Sequence, residues 1–208
     1  MKKRIAASLM VIVMAIGCFT GCTPVKGFSF SGFTGAMKDF GLTKVWTTFD
    51  KDKMLSELTD DSKPSCYIES EDKEEAQYFY DHYINPTAPE KFKIKKIAIA
   101  AAREKPVNNR YVSTLYLIEF ETSSDAEKDY NRISYNLREK QHFEIGDKWG
   151  YKYTISYHET RAYNALDGAY LCGNKLLILL TLSSKANDKG IATKVFKKLG
   201  VEDPAKLA

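Results

Sequence analysis

The sequence predicts an α+β fold, a two-layer sandwich in which an antiparallel sheet of about five to six strands carries helices on one face. Strand-like segments occur in pairs joined by short turns, which requires antiparallel pairing. Helix-like segments with one apolar face follow these pairs and must cover the sheet. A chain of 208 residues, 44% of them hydrophobic, can bury the core of one domain, which we expect over 33–208.

The first half of the chain predicts two helices and a short strand. Phe33, Met37 and Phe40 recur at helical spacing, and Gly41 is placed to end that helix. A strand over 42–47 and a polar segment over 50–64 follow. A second helix is predicted over 71–84, since its apolar residues share one face and Asn85-Pro86 ends it.

Two strand-and-helix units are predicted in the second half. In the first, strands over 94–103 and 111–121 flank a turn at 106–109, and a helix begins at a Ser124/Glu127 capping box. In the second, strands over 149–158, 168–172 and 175–182 are separated by 164–167 and by Gly173-Asn174. A helix over 188–199 completes this unit, and Gly200 ends it.

One predicted strand carries a candidate ligand platform. Aromatic side chains alternate along it and therefore share one face, at Trp149, Tyr151, Tyr153 and Tyr157. If exposed, they would stack on sugar rings or a peptide; if covered, they would form core. We expect the tyrosines to lie against the helix layer, because alternation over this length indicates one buried face.

The N-terminus has the pattern of an export signal. Met1 to Arg4 are basic, and Ile5 to Gly17 form an uncharged apolar run that is shorter than the roughly 20 residues of a spanning helix. The run leads into Phe19-Thr20-Gly21-Cys22, while Cys18 follows Ala15-Ile16-Gly17.

This cysteine motif resembles the lipobox of bacterial lipoproteins, in which a Leu-like residue, a small residue and Gly or Ala precede the modified Cys. Cys22 fits that order better than Cys18, the alternative, although Phe19 stands in the Leu position. The layout is also similar to that of small bacterial lipoproteins of unknown function. The resemblance implies that residues 1–21 are removed, that Cys22 carries acyl chains, and that the protein is anchored to the outer face of a bacterial membrane. We expect 22–32 to be a tether.

Charge and motif content give no signal for nucleic acid, metal or catalysis. Of 31 basic residues three lie in the export signal, so the rest nearly balance 27 acidic ones, and no nucleic-acid partner is expected. His82, His142 and His158 stand far apart without metal-ligand spacing, and no cofactor is indicated. No nucleophile motif is present, so no catalytic residue is predicted. Cys66 and Cys172 are expected to be unpaired, because a chain with a substantial core does not need a disulfide.

These observations favour a non-catalytic envelope lipoprotein that binds a protein, a cell-wall glycan or a small ligand. The alternative is a cell-wall-directed hydrolase or transferase, which would need a histidine or cysteine to meet a carboxylate in a cleft. A two-lobed solute-binding protein is a poorer fit, because the predicted hairpins argue against parallel lobes.

Overall fold

The computed structural model describes residues 25–45, 50–86, 91–104, 111–148, 150–184 and 190–208. The predicted signal peptide, Cys18, Cys22, Trp149 and the turn at 106–109 lie outside these ranges. Among the described helices, none is long and apolar enough to span a membrane.

The centre of the fold is one mixed sheet of eight strands, ordered β1-β2-β3-β4-β8-β7-β6-β5. The strands are Thr43–Lys44, Cys66–Ser70, Ile94–Glu104, Tyr111–Phe120, His142–Lys148, Tyr151–Glu159, Tyr163–Cys172 and Lys175–Ser184, numbered β1 to β8 in chain order. β1 runs parallel to β2, and the other pairs are antiparallel. The α+β class is therefore confirmed, whereas the expectation of about five to six antiparallel strands is wrong.

The sequence signals were weakest for the strands that were missed. β2 has five residues and follows a polar stretch. β5 is an edge strand whose apolar residues, Phe143 and Ile145, are 47% and 48% exposed. Residues 164–167 do not separate two strands but lie within β7, because each pairs with a residue of β8.

Five helices are found in the described ranges: α1 Phe30–Asp39, α2 Lys51–Thr59, α3 Lys73–Phe79, α4 Ser123–Arg138 and α5 Val195–Leu199. A π-helical turn, Tyr80–Ile84, continues α3. The predicted Ser124 capping box is wrong, since the Thr122 side chain accepts the Asp125 N–H at 3.1 Å and so caps α4 earlier. Gly41 and Gly200 adopt φ angles of 81° and 74° beyond α1 and α5, as their positions predicted.

Helices cover both faces of the sheet, which corrects the expectation of helices on one face. The first face packs against α1, α5 and the short helical turns Lys26–Phe28 and Pro204–Leu207. The second face packs against α2, α3 and α4. β3 shows the cause: Ala98, Ala100 and Ala102 point to the first core while Ile97, Ile99 and Ala101 point to the second, so both faces are apolar.

Within the expected tether over 22–32, the described residues are packed on the domain from Val25 onward. Phe28 and Phe30 are 5% and 8% exposed and belong to the first core. The Ser29 side chain accepts the Gly32 N–H at 3.3 Å and caps α1, so the helix begins three residues before Phe33.

Arg103, at the end of β3, connects the sheet to α2 through side-chain hydrogen bonds. The side chain is 8% exposed and donates to the backbone carbonyls of Pro64, Glu57 and Leu58 at 2.6 to 2.8 Å. Two of these carbonyls belong to the last turn of α2, where a cation is favourable. Cys66 lies 3.8 Å from the guanidinium and is not in a disulfide, so it is not bridged to Cys172.

Candidate functional site

A groove lies on the second face of the sheet. It lies between α4 and the π-helical turn, and its volume is about 400 Å³. α3 packs on β2 and β3, and α4 lies across β6, β7 and β8. A strip of β4 and β8 is left open between these helices, and Leu180 on this strip is 36% exposed. A volume of this size falls within the range of small-molecule sites.

The walls of the groove are mainly apolar. They are formed by Ile84, Val112, Tyr116, Ile133, Leu137, Ile178, Leu180 and Leu182. The Tyr116 ring packs against the Tyr83 ring with centroids 6.0 Å apart. Burial raises the pKa of Tyr83 to about 12 and raises that of Tyr116, so both hydroxyls remain protonated at neutral pH.

Strand register brings one acidic group to the groove floor. Asp167 on β7 lies opposite Leu180 on β8, and Leu180 lies opposite Thr114 on β4. Residues opposite one another across antiparallel strands point to the same face, so all three line the floor.

Asp167 is partly buried, and among the described residues only one of its two carboxylate oxygens accepts a hydrogen bond. Its Oδ1 accepts the backbone N–H of Thr181 at 3.0 Å. Burial raises the pKa of the carboxyl to about 6, while that hydrogen bond and the charge of Lys140 act in the opposite direction. A carboxyl with a raised pKa in a cleft is a typical feature of a functional site.

Polar groups at the rim come from α4 and the residues just after it. Arg132 and Asn136 are spaced one turn apart on the helix, and Lys140 follows its end. The Arg132 guanidinium is held by Asp129, with Nε 2.8 Å from Oδ1. Asp129 is fully buried, so this pair fixes Arg132 at the rim.

The three tyrosines of the predicted aromatic platform are in the core. Tyr151, Tyr153 and Tyr157 are 7%, 6% and 8% exposed, and they pack in the first core, as expected for one covered face. Tyr151 contacts Phe28, and the Pro204–Leu207 turn covers Tyr153, with Lys206 Nζ 5.4 Å from the ring centroid. In this arrangement the stripe stabilises the fold and is not open to a ligand.

The opposite face of the same strand is polar but also buried. Thr154 and Ser156 are 0% and 1% exposed beneath α4, and the Thr154 hydroxyl bonds the Tyr130 and Ser134 hydroxyls at 2.9 and 2.7 Å. Ser156 lies directly across from Asp167. Within the described ranges, Oγ of Ser156 and Nδ1 of His158 have no hydrogen-bond partner, so no serine, histidine and aspartate relay is formed.

The sequence contains no motif for the groove, because its residues come from five separate segments of the chain. Asp167 was placed in a turn, although it lies on a central strand. The available signal was an acidic residue among apolar neighbours in LDGAYL. No group of three His, Cys, Asp or Glu side chains that could hold a metal ion occurs in the part of the chain that is described.

The fold and the groove define an α+β protein with one eight-stranded sheet covered on both faces and a cleft beside α4. Comparison with protein-family models, with curated proteins and with solved structures gives no match.

Proposed function

We propose that this protein is a lipid-anchored lipoprotein of the bacterial cell envelope that binds a small amphipathic ligand in the groove beside α4. The observation that carries the proposal is the groove itself, about 400 Å³ of mainly apolar wall with a single carboxylate on its floor. The anchor rests on the N-terminal sequence, in which Cys22 follows a signal-peptide pattern and Gly21. Acyl chains on Cys22 would hold the protein on the outer face of the membrane.

Asp167 defines the chemical class of the ligand. A buried carboxylate with a free acceptor oxygen favours a partner that donates hydrogen bonds and carries positive charge. The apolar walls favour a hydrocarbon or aromatic body next to that charge. We therefore infer that the ligand is a primary amine with an apolar chain of a few carbons, a pattern shared by free amines and by the amino end or lysine side chain of an envelope peptide.

Binding without chemistry is favoured over a wall-directed hydrolase or transferase. Hydrolysis would need an activated nucleophile beside the groove. The hydroxyl of Ser156 is buried beneath α4 and does not line the groove. Thr114 does line the floor, but no histidine that could activate its hydroxyl is among the described groove residues. His158 makes no hydrogen bond to Asp167 among the described residues, so this carboxylate does not orient a base.

Calorimetry with octylamine, and with octanol as its uncharged analogue, tests the binding site. We expect octylamine to bind at least ten times more tightly than octanol at pH 7.5, because a charge-assisted hydrogen bond is worth about 1.5 to 3 kcal/mol. The preference should fall as the pH drops below about 6, since Asp167 is protonated there.

The Asp167→Asn variant should abolish the preference for the amine while octanol binding persists. Asp147→Asn removes an exposed carboxylate on the edge strand and is the matched control. It should leave the preference for octylamine over octanol unchanged. An unchanged preference for octylamine in Asp167→Asn would exclude Asp167 as the ligand's partner. Binding of neither probe would exclude the groove as an amphipathic site.

A further inference from the structure

The first described residues dock close to the proposed lipid anchor. Val25 lies against Gly200, where an added methyl group would come within 3.8 Å of the Val25 side chain. A methyl group on Gly27 would come within 3.3 Å of the Leu199 carbonyl oxygen, so this segment is packed on the end of α5. Two residues, Thr23 and Pro24, lie between Cys22 and the docked Val25. The three steps from Cys22 to Val25, at about 3.3 to 3.6 Å each, can span at most about 11 Å.

A basic surface surrounds this docking point. Lys26, Lys197 and Lys198 are exposed, the first beside Val25 and the others on α5. Lys198 bonds Asp39 of α1 at 2.7 Å. That bond, together with the charges of Lys198 and Lys26, lowers the pKa of Asp39, so these groups share one surface. We call the surface formed by Val25, Lys26, Asp39, Lys197 and Lys198 the anchor face; its three lysines and one aspartate leave an excess of positive charge.

We infer that the anchor face lies flat on the anionic headgroups of the membrane. The inference rests on the proposed acylation of Cys22. A tether of at most about 11 Å keeps Val25 and the adjacent Lys26 within about one Debye length of the lipid surface, where a lysine contributes attraction. The occupant is thus an anionic lipid surface, and the lysines fix which side of the protein meets it.

This orientation determines where the groove opens. The anchor face belongs to the layer on the first side of the sheet, and the groove lies on the second side beneath α4. With the anchor face on the bilayer, the sheet stands between the membrane and the groove. The groove therefore opens away from the lipid, toward the cell wall.

Cysteine labelling on vesicles tests the orientation. Lys197→Cys reports on the anchor face and Lys128→Cys, exposed on α4, reports on the opposite side, both in a Cys172→Ser background. Cys66 is 3% exposed and should remain unlabelled. The acylated full-length protein is reconstituted in vesicles of equal parts phosphatidylglycerol and phosphatidylcholine and treated with a maleimide polyethylene glycol. Each labelling rate is divided by the rate of the same variant in detergent solution. We expect this normalised rate to be at least ten times lower at position 197 than at position 128.

Charge variants test the role of the lipid headgroup. In the Lys197→Cys background, Lys26→Gln with Lys198→Gln should raise the labelling rate toward that of position 128, because two lysines together contribute about 30-fold in membrane attraction. Lys53→Gln with Lys128→Gln removes two charges from the opposite side and should change nothing. Vesicles of phosphatidylcholine alone should reproduce the effect of the first pair.

Each contrary result has a distinct meaning. Equal labelling of positions 197 and 128 on a protein whose Cys22 is acylated would overturn the orientation alone. Protection of position 197 that does not depend on phosphatidylglycerol or on the lysines would overturn the assignment to anionic lipid. An unmodified Cys22 in the mass spectrum of the N-terminal peptide would overturn both the anchor and the orientation.

Discussion

Replacing Asp167 by asparagine should stabilise the protein at neutral pH, because the groove holds a carboxylate that folding partly removes from water. Its pKa is raised from 3.8 to about 6 in the folded state. This difference corresponds to at most about 3 kcal/mol, since a tenfold change in an equilibrium constant is worth about 1.4 kcal/mol. Water at the open groove reduces the value, so we expect about 2 to 3 kcal/mol.

The direction in which stability changes with pH follows from the number of protons bound by the folded and unfolded chains. Between pH 4 and pH 6 the folded carboxyl keeps a proton that the unfolded chain has lost, so the stability of the wild-type protein decreases as the pH rises through that window. Asparagine cannot titrate, yet its side-chain oxygen can still accept the Thr181 N–H. The stability difference between variant and wild type should therefore grow from about pH 4, and level off above about pH 6.

Urea denaturation of wild type and Asp167→Asn at several pH values between 3.5 and 8 measures this difference directly. The exposed Asp147→Asn variant controls for the loss of one negative charge. A stability difference that is independent of pH would refute the reasoning, because it would show that Asp167 titrates alike in the folded and unfolded chains. The expected result would indicate that the groove keeps a destabilising group for binding.

Four further substitutions test the packing. Arg103→Met should cost about 3 kcal/mol in urea denaturation, because one buried and two partly buried carbonyls lose their donor. The exposed Arg161→Met should change stability by less than about 0.5 kcal/mol, and equal effects of the two substitutions would contradict the role of Arg103. The buried Tyr170 hydroxyl donates to the Glu202 carbonyl at 2.6 Å. Tyr170→Phe should therefore cost about 1 kcal/mol and speed amide exchange in residues 201–208. Unchanged exchange would show that this hydrogen bond does not hold the C-terminal segment. Gly35→Ala in α1, where an added methyl group meets no atom, should stabilise by about 0.5 to 1 kcal/mol. Gly168→Ala should instead destabilise by about 1 to 3 kcal/mol, because the methyl group would come within 2.6 Å of the Tyr170 ring; effects of the same sign at both glycines would contradict these contacts.

Local patterns predicted much of the fold. The Gly173-Asn174 turn predicted the hairpin of β7 and β8, and Gly173 has a φ of 60° there. Alternation predicted that Tyr151, Tyr153 and Tyr157 share a buried face.

Other features depend on long-range contacts. The face of β6 opposite the tyrosines reads as a solvated surface, because it carries Thr154 and Ser156. It is buried because α4 supplies hydroxyl partners for Thr154 from 20 and 24 residues away in the chain. The groove requires the register of β4, β7 and β8, and the sequence contains no local signal for that register.

The mass of the mature N-terminal peptide tests the proposed lipid anchor most directly. A diacylglyceryl cysteine followed by Thr23 is expected if Cys22 is the anchor, and Cys22→Ser should then leave an unmodified precursor while Cys18→Ser changes little. The physical reason is that the hydroxyl of serine is a much poorer nucleophile than a thiolate. A modified cysteine followed by Phe19 would move the anchor to Cys18, and an unmodified N-terminus would contradict the lipoprotein account.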